Sequence, residues 1–224
     1  MNRMGKIRAI NDSEKNIRRQ EILYAAGKLL LKMNYRDITI KRIAEVTELA
    51  KGTIFLYFQT KEDIFLSIAE QLIEEWGIKF REAVRTGIKP GKAGNVTDFV
   101  HIVTTTLDNV LIVKLFAILD DTLEQNIEKK RAFEFKIFLK KILIECGSLI
   151  EEYFPKIKRG DGVILLNGLF VCLVGAYKVS NQSETIKHIS KQPGMEIFRR
   201  DFGRILEHTT LCYVSGFLST KSAV

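Results

Sequence analysis

The stretch TIKRIAEVTELAKGTIFLYFQTKEDIF, residues 39 to 65, decides how the chain is read. It opens on Thr39, a residue able to cap a helix, and continues for about two turns with Ile40, Ile43, Ala44 and Thr47 on one face. The pattern breaks at TELA and restarts at Lys51, giving a second short helix to Phe58 with Ile54 and Phe58 inward. TKED, residues 60 to 63, is a capping box: Thr60 accepts from the N–H of Asp63, and the Asp63 carboxylate returns to the backbone of Thr60. The unusual part is Lys51-Gly52-Thr53, because glycine costs about 1 kcal/mol relative to alanine inside a helix. That choice is poor for a core and suitable where backbone must lie close to something outside the protein.

Two short helices joined by a tight turn, the second presenting small polar residues, make a helix-turn-helix. The second helix fits a major groove and its first residues reach base edges. Gly52 lets the backbone approach a duplex, and Thr53 can bond a phosphate or touch a thymine methyl. Tyr57 and Lys61 can hold flanking phosphates.

Charge points the same way. The chain of 224 residues carries a formal charge of +8, and residues 1 to 61 hold 13 Lys or Arg against 6 Asp or Glu. Nearly all the excess sits there, the footprint of a surface that meets phosphates. Cys146, Cys172 and Cys212 lack the close spacing of a zinc or redox pair and are read as reduced core thiols of a cytoplasmic protein. No secretory signal opens the sequence. GVILLNGLFVCLVGAY, residues 162 to 177, carries Asn167, falls short of the roughly 20 residues of a spanning helix, and is read as a buried helix.

Proline occurs only at Pro90, Pro155 and Pro193, and strand-like alternation is almost absent, so the fold class is all-α. A first helix is expected from Asp12 or Ser13 to Met33, with Ile22, Ala26, Leu29 and Met33 on one face. A long helix follows the capping box and runs out before Gly87. Further helices are expected at about Val96 to Asn109, Val110 to Gln125, Ile127 to Phe154, Asp161 to Ser180 and Met195 to Leu218. The domain organisation expected is a helix-turn-helix domain over 12–60 and a helical ligand-binding and dimerisation domain over 61–224.

The quoted segment resembles the DNA-binding segment of the TetR family of bacterial transcriptional regulators, over about residues 17 to 70. The resemblance implies an all-helical homodimer with a three-helix DNA-binding domain and a larger C-terminal domain that binds an effector and the partner subunit. Carried over residue by residue, it places Thr39, Lys51, Thr53, Phe55, Tyr57 and Lys61 at positions that approach DNA. Glu48 stands where the family usually has glycine, Ala50 where it has serine or a similar cap, and Leu56 where it often has histidine. The recognition surface is therefore more apolar than usual.

For the C-terminal part, the helix from Asp161 and the last helix, with Phe198, Phe202, Ile205, Thr209, Cys212, Tyr213 and Phe217 on a broad face, are expected to pair with their symmetry mates. His101, Asn109, Asn167 and Tyr177 are polar residues within apolar helices, able either to orient an effector or to be satisfied core groups. A small, mostly apolar effector releasing a palindromic double-stranded operator is the expectation. The sequence has no phosphate-binding glycine loop, paired metal-spaced histidines, G-x-S-x-G elbow or C-x-x-C pair, so neither an enzyme nor a cofactor or metal is expected. A lipid carrier or membrane-surface protein is the alternative, but it leaves the helix-turn-helix unexplained.

Overall fold

The computed structural model describes residues 3–88, 91–119 and 127–222, with side chains from Ser13 to Lys221 within those spans. Among the described residues the elements are α1 (Arg3–Lys32), α2 (Ile40–Thr47), α3 (Lys51–Phe55), α4 (Lys61–Gly87), α5 (Val96–Thr106), α6 (Val110–Phe116), α7 (Lys129–Tyr153), α8 (Asp161–Ser180), α9 (Glu184–Ile189) and α10 (Phe202–Ser222). The all-helical class read from the sequence is the class adopted. Two compact units divide the chain, Met1–Gln71 with Ile118–Phe135 and Leu72–Ala117 with Lys136–Val224. The division falls inside α4 and inside α7, so both helices contribute to both units.

In the first unit, α1 buries Ile22, Leu23, Ala26, Leu29 and Leu30, spaced to lay one apolar stripe that packs on α2. Ile43 and Ala44 of α2, Ile54 of α3, and Phe58 beyond it complete this core with Tyr35 and Ile38. The helix expected from Asp12 or Ser13 starts instead at Arg3. A capping residue permits a start without forcing one, and residues 3 to 11 contain no proline to stop the helix. The capping box forms only in part: Asp63 N–H donates to Thr60 Oγ1 at 3.1 Å, but Asp63 Oδ1 accepts from Arg131.

In the second unit, an aromatic file runs through the core. Trp76 stacks on Phe80, Phe80 meets Phe99 edge-on, and Phe99 meets Tyr153 and Phe154. The expected helix to Asn109 ends at Thr106, and the chain turns by 95° into α6. Asn109 is the reason: its Oδ1 accepts from the Leu111 N–H at 2.9 Å and caps the new helix. α6 ends at Phe116, and residues 120–125 of the helix expected up to Gln125 lie outside the described residues. The last helix begins at Phe202 rather than Met195, with Phe198 in a separate 3-10 turn. Its buried line is Leu206, Thr210 and Val214, while Ile205 and Thr209 are half-buried and Cys212 is exposed.

α8 matches its expected limits, and within the single chain it is buried on one side only. Leu165, Leu166, Leu169, Leu173 and Ala176 are buried, while Ile164 is 53% exposed and Val171 68%. Its 20 residues are long and apolar enough to cross a membrane by length and composition alone, although only a third of its most apolar window is buried. Cys146 is a core thiol and Cys172 is half-buried, whereas Cys212 is exposed. α8 packs on α10 and α6, and it approaches α7 so closely that a Cβ on Gly162 would lie 2.1 Å from the Gly147 carbonyl oxygen. Asp161, buried at the head of α8, accepts from the Lys158 N–H at 2.9 Å and from Lys221 Nζ at 2.7 Å, which fixes the end of α10.

That backbone contact makes Gly162 and Gly216 a discriminating pair. Gly162→Ala is expected to destabilise the protein by about 3 kcal/mol or more in urea unfolding, since backbone must separate. Gly216→Ala, in an α10 position where a Cβ meets nothing within 4 Å, should be neutral or stabilising by up to about 1 kcal/mol.

Candidate nucleic-acid interface

Thr39 caps α2, its Oγ1 accepting from the Arg42 N–H at 3.2 Å. The helix ends at Glu48, which holds left-handed backbone at φ 55° and ψ 28°, the only non-glycine residue at positive φ among the described residues. A side chain in that conformation crowds its own carbonyl at a cost of roughly 1–2 kcal/mol. Part of this is offset by hydrogen bonding, because the Glu48 N–H faces the Ala44 and Glu45 carbonyls and the Leu49 N–H bonds Ala44 O at 3.0 Å. Ala50 then starts α3 without a side-chain cap.

Ile54 and Phe58, both almost fully buried, pin α3 to the first unit's core. Away from them Lys51 and Gly52 are exposed, as are Phe55 at 46% and Leu56 at 79%. Lys51 Nζ lies 5.7 Å from the centre of the Phe55 ring, so cation and ring share one surface. A Cβ on Gly52 would meet nothing within 4 Å; no contact inside the protein demands glycine there. Thr39 is exposed at the head of α2, and Thr53 and Tyr57 are half-buried on and just after α3.

Lys61 departs from this pattern. Its Nζ donates to the Tyr35 carbonyl at 3.2 Å and sits 4.0 Å over the Tyr35 ring. Desolvation lowers its pKa, against the pull of Glu62. Tyr35 in turn donates to Glu62 Oε1 at 2.7 Å and packs edge-on against Phe65, and burial with the Glu62 contact raises its phenol above the usual range. Lys61 thus fastens the start of α4 to the turn that precedes α2.

Sequence reasoning missed the group that secures α4 itself. Arg131, at the start of α7, donates to Asp63 Oδ1 at 2.9 Å and to both Glu70 oxygens at 2.8 and 2.6 Å. Desolvation opposes its charge, but the Glu70 and Asp63 contacts outweigh it and raise the guanidinium pKa. Buried Ser67, between the two carboxylates on α4, accepts from Arg19 of α1 at 3.0 Å. The only sequence trace is an i, i+4, i+7 polar stripe on an otherwise apolar helix face; its partner 61 residues or more away leaves none.

The effector candidates are dispersed in the second unit. His101 and Asn167 are exposed, Asn109 is the exposed cap of α6, and Tyr177 is half-buried with its ring edge-on to Phe202. None of the four lines either surface depression described in that unit, one of 580 Å³ beside Gly94, Phe154 and Leu218 and one of 670 Å³ near α9.

A helix-turn-helix mounted on a clamped helix, followed by a larger helical unit, defines the class. Two family models cover the same ground: "Bacterial regulatory proteins, tetR family" matches residues 22–68, and "Tetracyclin repressor-like, C-terminal domain" matches residues 72–221. The chain belongs to the TetR family. It is 34% identical over 62 residues to the HTH-type transcriptional repressor AcnR of Corynebacterium diphtheriae, a match spanning 28% of this chain and 33% of that protein. With the fatty acid metabolism regulator protein of Bacillus subtilis it shares 28% over 72 residues, 32% of this chain and 37% of the relative. The matches thus span about a third of each of these curated relatives. Among solved structures, the transcriptional regulator FadR from Bacillus subtilis in complex with stearoyl-CoA superposes with a TM-score of 0.56 at 19% identity, over 88% of this chain and 98% of that one. At that identity the likeness concerns the fold.

Two substitutions test the local physics. Glu48→Gly removes the left-handed penalty and should raise stability by up to about 1 kcal/mol, the gain being reduced by the greater freedom of glycine in the unfolded chain. Arg131→Gln strands two partly buried carboxylates and should cost about 2 kcal/mol, between the value of an exposed pair and that of a fully buried one. Melting and urea midpoints measure both.

Proposed function

We propose that this protein is a sequence-specific DNA-binding transcriptional regulator that acts as a homodimer on a palindromic operator and is released by a small, mostly apolar effector. The observation that carries the reading is α3: two residues anchor it in the core, and its other face, Lys51, Gly52, Phe55 and Leu56, has no use inside the protein. Thr39, Thr53 and Tyr57 join that face as DNA contacts, and Lys61 serves as the brace behind it. Phe55 and Leu56 suit apolar contact with thymine methyl groups, and Lys51 suits a phosphate.

Support for the dimer comes from α8 and α10. Ile164, Val171 and Val179 on α8 and Leu211 on α10 are exposed in the single chain, an apolar stripe of the kind that marks an interaction surface. A two-fold axis through this face gives the two subunits one shared patch and sets two recognition helices for half-sites about 34 Å apart, or a multiple of it. The same stripe would suit a membrane surface, but the family to which the chain belongs favours pairing between copies.

Effector release uses the continuity of α4 and α7 across both units. A ligand bound among α5 to α8 and the second half of α4 that prefers one setting of these helices shifts the population of operator-competent dimers. His101, Asn109, Asn167 and Tyr177 are the polar residues proposed for ligand orientation, with Tyr177 the most enclosed of them.

Selection of bound duplexes from a random pool tests the reading: a two-fold symmetric site is expected, and enrichment of no sequence would overturn it. On that site Phe55→Ala should relax preference at particular base pairs by about 1–3 kcal/mol. Lys51→Ala should weaken all sequences alike and reduce the salt slope by about one. Val171→Glu should yield monomers in light scattering and lose operator binding with the first unit still folded. If Val171→Glu stays dimeric, the subunits pair elsewhere.

A further inference from the structure

The segment between α8 and α10 folds into the depression of 670 Å³ noted above, and its lining is basic. Lys187, His188, Lys191, Arg199 and Arg200 face it together with one carboxylate, Glu184. That carboxylate is already engaged by Lys187 at 2.7 Å. Lys191, Arg199 and Arg200 therefore bring three positive charges to one concave surface, and none of the three bonds a carboxylate among the described residues.

Two of these charges are held in place. Arg199 Nε donates to the Ser190 carbonyl at 3.0 Å, and the buried Ser190 hydroxyl donates to the Lys187 carbonyl at 2.9 Å, closing the end of α9. The two terminal amino groups of Arg199 make no hydrogen bond among the described residues. Arg200 is fixed by one N–H donated to the Ile197 carbonyl at 3.1 Å. A guanidinium tethered through one nitrogen, with its outer edge unused, has already lost the freedom that binding would otherwise cost, and its fork fits two oxygens of a phosphate.

We propose that this depression is a binding site for a phosphate-bearing small molecule, held by Arg199, Arg200 and Lys191. The volume lies within the range of small-molecule sites, roughly 300–1,000 Å³. Its charges converge on one hollow, whereas a duplex backbone or a bilayer surface calls for an extended row. The site is independent of the helix-turn-helix, and nothing in its geometry depends on the operator.

Calorimetric titration of the full-length protein with inorganic pyrophosphate, at fixed ionic strength, tests the proposal. Saturable binding with one site per chain is expected. Arg199→Gln and Lys191→Gln should each weaken it at least about tenfold, the scale of a lost charge-assisted hydrogen bond. Lys140→Gln, the same charge change at an exposed position on α7, should leave it unaltered. The Lys191 side chain makes no hydrogen bond among the described residues, its backbone N–H alone bonding the His188 carbonyl at 3.2 Å, so its variant keeps the test valid if Arg199→Gln disturbs the end of α9. Absence of saturable binding, or equal weakening by Lys140→Gln, overturns the proposal. So does a tenfold loss of affinity for random-sequence duplex DNA in Arg199→Gln, which would assign the basic surface to nucleic acid.

Discussion

The grip of Arg131 on α4 is the constraint on which the first unit depends. Asp63, Ser67 and Glu70 occupy one stripe of α4, and one guanidinium spans the two carboxylates while Ser67 accepts from Arg19. One line of three side chains thereby ties α1, α4 and the head of α7 together. Arg19 also lies 5.0 Å over the ring of Phe58, the residue that anchors the chain just beyond α3. Packing alone would leave α4 able to rotate about its axis, since Ile64, Phe65, Leu66, Ile68 and Ala69 are buried on more than one side. The charged stripe removes that freedom, because polar groups so enclosed have few geometries that satisfy them.

Against this rigid backing the strained turn at Glu48 can be understood. A left-handed glutamate is unfavourable by itself, yet the turn must place α3 with Ile54 inward and Phe55 outward, and a slip of one residue would exchange them. Core burial of Ile54 and Phe58, about 1.5–3 kcal/mol for each side chain, exceeds the roughly 1–2 kcal/mol of backbone cost. The turn is held by what lies on either side of it, and the residue at its apex need not be the best one.

The helical class, the limits of α4 and α8, and the helix-turn-helix were legible in the sequence because each has a local cause: a cap, a periodic apolar stripe, or a break between two such stripes. Even the positive φ at Glu48 was foreshadowed by a residue standing where glycine is usual. What could not be read was long-range. Nothing near Lys61 indicates that its ammonium turns toward Tyr35, and nothing near Asp63 indicates that Arg131 displaces its return to the Thr60 backbone. Asn109 is local in another way: a polar residue in an apolar run does not announce that its Oδ1 caps the helix that follows, where α5 gives way to α6.

Of the exposed apolar residues among those described, the groups on α3 and on α8 differ in their chemical surroundings. On α3, Phe55 and Leu56 stand beside Lys51 and an unhindered Gly52, so apolar contact is combined with positive charge and close backbone approach. On α8, Ile164 and Val171 share a face with Gly175, where a Cβ would meet nothing within 4 Å, and with no basic residue until Lys178. A surface that meets a polyanion needs the first combination, because apolar contact there must accompany phosphate neutralisation. A surface that meets a copy of itself across a two-fold axis is served by the second, because any charge on it would face its own image. Under the proposed function, Lys51 beside Phe55 and the open backbone at Gly52 suit α3 to nucleic acid, while the stretch of α8 from Ile164 to Gly175, free of basic residues, suits pairing between copies, although the apolar residues on the two are of the same kind.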